Sequence, residues 1–163
     1  MHLFLLRHSK SVSETYDLDD LNRPLSSRGI NDARTLALLI LKKKIKFNQV
    51  LCSSSIRTVQ TLDVLKEYNY SNFENISITE RLYLASDIII SKIVNSSNAN
   101  SLLIIAHNPG ISSLISILNN SKYQDYPTST MAYFIINSSD NNSKEINTEF
   151  IIRPKDGKIV GDD

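Results

Sequence analysis

Short apolar runs alternate along the chain with longer segments in which apolar residues recur every three or four positions. The run from Leu3 to Leu6 is apolar throughout, which is typical of a strand buried on both faces. The segment from Asp32 to Lys44 has helical spacing instead, with a run of lysines at its end. The same two patterns predict strands at 50–52, 76–78, 102–106, 132–136 and 149–152, and helices that end near 67, 94 and 118.

Helices placed between strands favour an α/β fold, in which a largely parallel sheet is covered by helices on both faces. The chain shows no internal repeat and no linker, so residues 1–154 are expected to form a single domain. Its last two strands would be joined by a polar turn over 137–144. Residues 155–163 are expected to form a frayed C-terminal tail.

The composition points to an ordinary cytoplasmic domain. Of the 163 residues, 18 are Lys or Arg and 17 are Asp or Glu, so the formal net charge is only +1. That balance gives no general attraction to nucleic acid or to anionic membranes, and no apolar run is long enough to span a bilayer. The single cysteine, Cys52, excludes an internal disulfide and fits a reducing compartment.

Basic and imidazole side chains follow three of the predicted strands. Arg7 and His8 come directly after the first strand, Ser53 and then Arg57 after the second, and His107 after the strand that begins at 102. Because sites in open parallel sheets form beyond the carboxyl ends of the strands, we expect these side chains to meet at one edge.

Two arginines and two histidines at one edge indicate a phosphate site. Guanidinium groups bind phosphate bidentately and stay charged. A neutral imidazole is a competent nucleophile toward phosphorus near neutral pH, and a second, protonated histidine would stabilise charge. No cluster of carboxylates, histidines or cysteines has the spacing of a metal site, so no metal or other cofactor is expected.

Six segments in order resemble the histidine phosphatase superfamily, and within it the SixA-type phosphohistidine phosphatase branch. The segments are LLRHSKS, NRPLSSRG, VLCSSSIRTVQT, LYLAS, IIAHNPG and YPTST. The resemblance runs from Met1 to about Ile136. It implies the phosphoglycerate mutase-like fold of that superfamily, a three-layer α/β/α sandwich with a mostly parallel central sheet.

The resemblance also implies roles for the residues at the strand ends. His8 would be the nucleophile and would become transiently phosphorylated. Arg7 and Arg57 would hold the phosphoryl oxygens, and His107 would stabilise the transition state. Arg23 matches a position that lines the pocket in this branch.

Three further residues have two readings each. Lys10 would add charge near the leaving group, or it is a solvated lysine. Asn108 would donate to phosphate or cap the following helix, and the cap is the favoured reading. Glu80 is the nearest candidate for the general acid that many superfamily members use, and a surface carboxylate is an equal alternative. Where the wider superfamily has Gly after the Arg-His pair, this chain has Ser9.

The function that the resemblance implies is a metal-independent phosphohistidine protein phosphatase with a covalent phosphohistidine intermediate. Its substrate would be a phosphohistidine-bearing protein, either a phosphotransfer domain or a phosphocarrier, and the enzyme would be a monomer. A weak general acid fits this substrate because the P–N bond is labile. The short connections between the segments leave little material for a lid, so the pocket would be open to a protein.

Two alternatives stay open. The same site could hydrolyse small phosphate monoesters, which would require a carboxylate such as Glu80 to protonate the leaving group. The chain could also be a phosphoprotein-binding module without catalysis, although a binder has no need of a nucleophile such as His8.

Overall fold

The structure is a computed structural model that describes residues 1–13, 19–68, 70–138 and 144–162. Most of the polar turn expected over 137–144 therefore lies outside the described residues. The strands are β1 His2–Arg7, β2 Gln49–Ser53, β3 Ile76–Thr79, β4 Ser101–Ala106, β5 Met131–Ser138, β6 Lys144–Lys155 and β7 Lys158–Asp162. The α-helices are α1 Ser27–Lys42, α2 Ile56–Tyr68, α3 Asp87–Ser96 and α4 Gly110–Leu118, with short 3-10 turns at Asp20–Asn22, Tyr70–Asn72 and Glu80–Leu82.

Within the described ranges, the strands form one seven-stranded sheet in the order β3-β2-β4-β1-β5-β6-β7. The pairs β2–β3, β2–β4 and β1–β4 are parallel, whereas β1–β5, β5–β6 and β6–β7 are antiparallel. The expectation of a mostly parallel sheet is thus only partly correct. Beyond β5 the described residues contain no further helix, and strands that follow one another over short connections pair antiparallel, as β5, β6 and β7 do.

Helices cover both faces of the sheet, as the α/β prediction required. Alternate residues of β1 point to opposite faces, so Leu3 and Leu5 pack with α3 and α4 while Phe4 and Leu6 pack with α1 and α2. Each face has its own apolar core, which explains why β1 reads as an uninterrupted apolar run. The three-layer α/β/α arrangement is confirmed.

The C-terminal segment is ordered rather than frayed, which corrects the expectation for 158–162. Residues Lys158–Asp162 pair antiparallel with the end of β6. The turn between the strands is Asp156-Gly157, and both residues have positive φ, 51° and 74°. Asp-Gly is a favoured sequence for a two-residue hairpin, and this signal was missed in the sequence. We propose a single domain that includes β7.

Helix α1 starts five residues before the predicted Asp32 because Ser26 caps it. The Ser26 hydroxyl accepts a hydrogen bond from the backbone N–H of Gly29 at 3.1 Å. Gly29 also lets the helix approach the chain after β1 closely, since a Cβ there would lie 2.0 Å from the carbonyl oxygen of Lys10. In the described part of the chain, no helix has both the length and the apolar character needed to cross a membrane.

Candidate active site

Strand β1 and helix α2 bring His8 and Arg57 into contact. Arg57 donates through Nε to Nε2 of His8 at 3.2 Å. The other ring nitrogen, Nδ1, lies 2.8 Å from the carbonyl oxygen of Ser9. Because a carbonyl only accepts, Nδ1 carries the proton, and Nε2 keeps the lone pair that a nucleophile needs.

The surroundings of His8 keep its ring neutral. The side chain is 7% exposed, and burial, together with the positive charges of Arg57, Arg7 and Arg23, lowers the pKa of His8 to about 4. The hydrogen bond to Ser9 opposes this shift only in part. At neutral pH His8 therefore presents an unprotonated Nε2 toward Arg57.

His107, directly after β4, contacts the same edge of the Arg57 guanidinium. Its Nδ1 accepts from Nη2 of Arg57 at 3.2 Å, so its proton is on Nε2, which donates to the Ser53 hydroxyl at 2.7 Å. The ring centroids of His8 and His107 are 5.1 Å apart. Arg57 thus presents one edge, Nε and Nη2, to both imidazoles.

The expected protonated state of His107 is wrong for the site as it stands. Burial, followed by repulsion from the His8 ring in its protonated form and by the charge of Arg57, lowers the pKa of His107 to about 3. The sequence placed two histidines near two arginines, but it gave no measure of how deeply they are buried. Desolvation outweighs the Asp20 carboxylate, which acts in the opposite direction.

Asp20 is the residue of the site that the sequence prediction missed. Its carboxylate accepts from Nη2 of Arg57 at 2.8 Å, and its backbone carbonyl accepts from Nη1. It also accepts from Nε of Arg23 at 3.1 Å and from the Tyr83 hydroxyl at 2.7 Å. One signal could have found it: Asp20 stands three residues before Arg23, at the spacing of neighbours on one turn.

Arg23 lies beside Asp20 and links it to the chain that follows β1. Its Nη1 donates to the Ser11 hydroxyl at 3.2 Å and to the carbonyl of Val12 at 3.1 Å. Its side chain is 18% exposed. Arg23 therefore contributes positive charge at the rim, with part of its hydrogen-bonding capacity directed to Asp20.

Arg7 and Asn108 converge on a different segment. Arg7 donates through Nη1 to the carbonyl of Tyr126 and lies 3.5 Å from the carboxylate of Asp125. The Asn108 amide donates to the same carboxylate, and to the Tyr126 carbonyl at 3.1 Å. The favoured reading of Asn108 as a helix cap is wrong, because α4 begins after Pro109 without a side-chain cap.

Ser9 fits the position after His8 without crowding it. Its side chain is fully buried and accepts a hydrogen bond from the Ser129 hydroxyl at 2.8 Å. Its backbone N–H donates to the Thr61 hydroxyl at 3.0 Å. The segment YPTST, which contains Ser129, therefore supports the end of β1 from behind.

Lys10 and Glu80 are not brought into the cluster. Both side chains are exposed, and among the described contacts neither touches His8, Arg57 or His107. Glu80 lies in the 3-10 turn that leads to Tyr83. Over the described ranges, no group of three or more His, Cys, Asp or Glu side chains is arranged to hold a metal ion.

Comparison with known proteins gives structural similarity without sequence similarity. No protein-family model matches the chain, and no curated protein sequence matches it. A solved structure from Agrobacterium tumefaciens, assigned as the phosphohistidine phosphatase SixA, superimposes with a TM-score of 0.76 at 20% identity, covering 82% of this chain and 90% of that one. The protein histidine phosphatase SixA in complex with tungstate gives 0.75 at 22% identity, covering 90% and 94%.

A more distant likeness is to the mycobacterial glucosyl-3-phosphoglycerate phosphatase. Its TM-score is 0.65 at 14% identity, covering 91% of this chain and 96% of that one. At these identities the shared property is the fold. The chain therefore has the phosphoglycerate mutase-like fold of the SixA phosphatases, and the resemblance to that branch of the histidine phosphatase superfamily is confirmed at the level of the fold.

Proposed function

We propose that this chain is a phosphatase of the histidine phosphatase superfamily that dephosphorylates phosphohistidine on other proteins through a phosphorylated His8. The observation that carries the proposal is the edge of Arg57 that faces two neutral imidazoles. That edge offers donors for phosphoryl oxygens. Beside it, the unprotonated Nε2 of His8 has an electron pair that becomes available to phosphorus once phosphoryl oxygens take over the hydrogen bond from Arg57.

In the first step, Nε2 of His8 attacks the phosphorus atom of the substrate. A P–N bond to His8 forms while the P–N bond to the substrate imidazole breaks, and the departing nitrogen takes the electron pair and a proton from water. Arg57 would donate to the equatorial oxygens, where charge is spread in the transition state, and His107 would hold the edge of Arg57 that faces them. Arg7 and Asn108 would add donors if phosphate replaced the Asp125 carboxylate.

In the second step, water attacks the phosphorylated His8. A P–O bond forms, the P–N bond to His8 breaks, and inorganic phosphate leaves with His8 restored. Because Nδ1 of His8 stays hydrogen-bonded to the carbonyl of Ser9, the ring keeps the same orientation in both steps.

The phosphohistidine substrate is favoured by the acid–base character of the site. The carboxylate closest to the imidazoles is Asp20. Burial alone would favour its neutral acid, but hydrogen bonds from Tyr83, Arg23 and Arg57 hold the pKa of Asp20 far below its ordinary value. Such a group gives no proton to an alkoxide. Imidazole is a better leaving group than an alkoxide and needs less assistance from an acid, so the site suits phosphohistidine. The partner protein would be a phosphotransfer domain or a phosphocarrier. The enzyme would act as a cytoplasmic monomer without a cofactor.

The test is phosphate release from a histidine-phosphorylated protein in the presence of EDTA. Wild type should release phosphate and pass through an acid-labile, alkali-stable phosphoenzyme, whereas His8→Ala should do neither. His2→Ala is a matched control, because His2 lies at the opposite end of the same strand and bonds to Tyr133. Full activity of His8→Ala would refute the mechanism. Tight binding of the phosphoprotein without release would favour a binding module.

A further inference from the structure

We propose that Asp20 is the positioning residue of this site: it holds the outer edge of Arg57 so that the inner edge faces His8 and His107. The inference rests on the proposed function for its effect on rate. The orientation of Arg57 by Asp20 does not depend on that function, so it can be tested separately.

The hydrogen bonds of the Arg57 guanidinium divide between two edges. The inner edge, Nε and Nη2, faces His8 and His107, both at 3.2 Å. The outer edge, Nη1 and Nη2, is taken by the backbone carbonyl of Asp20 and by its carboxylate, the latter at 2.8 Å. Since the guanidinium is planar and rigid, fixing the outer edge also fixes the direction of the inner one.

Asp20 is itself held from two other parts of the chain. Arg23 donates to one carboxylate oxygen through Nε at 3.1 Å and Nη2 at 2.5 Å. Tyr83 donates to the other oxygen at 2.7 Å, and its ring packs edge-on against His107 with the centroids 5.5 Å apart. Asp20 is therefore fixed relative to the chain after β1 and to His107. Because it also accepts hydrogen bonds from Arg57, it restricts the orientation of the Arg57 guanidinium.

Because Asp20 is negatively charged, its effect on the orientation of Arg57 can be distinguished from its effect on the binding of an anion. A carboxylate beside Arg57 and Arg23 offsets positive charge that would otherwise attract an oxyanion. Removing that charge should therefore leave the binding of a phosphate-like anion unchanged or strengthen it. Removing a positioning contact should slow phosphoryl transfer. The two effects have opposite signs and are measured separately.

The first experiment compares Asp20→Asn with wild type and with Asp19→Asn. Asp19 is exposed, and its side chain caps the Asp20–Asn22 turn through the N–H of Asn22, a contact that Asn can also make. In Asp20→Asn, single-turnover phosphorylation of His8 should slow about 10- to 100-fold, the effect of removing a partner that orients a ligating group. The affinity for tungstate should be equal or higher. Phosphorylation within about threefold of wild type would overturn the inference.

A second readout does not depend on turnover. The Nε–H of Arg57 should give a slowly exchanging proton signal in nuclear magnetic resonance, assigned from its loss in Arg57→Lys. Exchange at least about tenfold faster in Asp20→Asn is expected, since the outer edge of the guanidinium then loses the carboxylate and is held mainly by the backbone carbonyl of residue 20. Unchanged exchange would overturn the inference. If wild type fails to release phosphate, the proposed function fails, and this readout alone decides the role of Asp20.

Tyr83→Phe provides a variant without a change of charge, in case Asp20→Asn does not fold. It removes one of the donors to Asp20 and leaves the ring against His107 in place. Phosphorylation should slow by about two- to fivefold, because Asp20 loses one donor while Arg23 still holds its carboxylate. A rate equal to wild type, together with unchanged Nε–H exchange of Arg57, would contradict the proposal.

Discussion

The Ser53 hydroxyl accepts a hydrogen bond from Nε2 of His107 at 2.7 Å, and this contact holds the ring with Nδ1 toward Arg57. Ser53 ends β2 and is fully buried. The guanidinium of Arg57 can only donate, so Nδ1 of His107 accepts and the proton is on Nε2. A residue at the end of β2 thereby fixes the orientation of a histidine that follows the neighbouring strand β4.

We predict that Ser53→Ala lowers the rate of phosphoenzyme formation by about tenfold, because the ring of His107 loses the partner that fixes its orientation. Ser54→Ala is the matched control, since Ser54 is the next residue and is partly exposed. Stopped-flow measurement of His8 phosphorylation would check this. Equal rates in the two variants would show that Ser53 has no part in orienting His107.

Activity should be insensitive to pH over a wide range on the acidic side of neutrality. The pKa of His8 is lowered to about 4, so its nucleophilic form is complete above pH 5 and is lost as the pH falls through 4. The measurement is the single-turnover rate of the free enzyme between pH 4 and 8, on a substrate that does not titrate there. A midpoint near 6.5, the ordinary value, would show that burial does not hold His8 neutral.

The same two histidines should make the folded chain sensitive to acid. The unfolded chain binds protons near pH 6.5, whereas folded His8 and His107 bind them only near 4 and 3. Stability is therefore complete above pH 6.5 and is lost as the pH falls toward 4. At pH 5 each histidine should cost on the order of 2 kcal/mol relative to pH 7.5. Urea unfolding at both pH values would check this, and His8→Asn should show a smaller loss.

Leaving-group quality should control the rate on small esters. Asp20 stays ionised and Glu80 is exposed away from the imidazoles, so neither offers a neutral carboxyl to the departing atom. A nitrophenyl phosphate should therefore react at least about a hundredfold faster than an alkyl phosphate. Comparable rates on the two esters, together with a loss of the alkyl rate in Glu80→Gln, would identify Glu80 as a general acid and favour small monoesters as substrates.

Gly29→Ala should destabilise the protein and disturb the site. The added Cβ would lie 2.0 Å from the backbone oxygen of Lys10, a part of the chain that has little freedom to move because Ser26 binds the same oxygen. A loss of about 1–3 kcal/mol in the free energy of unfolding is expected for such overpacking. Ser27→Ala, an exposed change in the same helical turn, is the control. Similar unfolding midpoints for Gly29→Ala and Ser27→Ala would show that the backbone at Lys10 moves to accommodate the added Cβ.

The sequence was sufficient where a local pattern determines the outcome. The apolar run of β1 and the helical spacing of α1 predicted their elements, and strand ends predicted that His8, Arg57 and His107 would meet. It was insufficient where the outcome depends on partners distant in the chain. Asp20 gains its role only from donors that the fold supplies.

Burial was the second property that the sequence did not provide. The residues at the strand ends suggested a protonated second histidine, yet the packing of β2 and β4 leaves the His107 ring 2% exposed and neutral. The antiparallel half of the sheet was missed for a different reason. Strand direction depends on the connections, and the Asp156-Gly157 hairpin turn that orders β7 was not recognised.

The central place of β1 has a consequence for the synthesis of the protein. Leu3 pairs with Leu102 on one side and with Phe134 on the other, so the strand that carries His8 has no neighbour until most of the chain exists. A nascent chain on the ribosome would hold its nucleophile without a sheet, and without His107 beside it. The enzyme would therefore become competent late, after β5 has emerged, and fragments released earlier would be inert toward phosphorylated proteins.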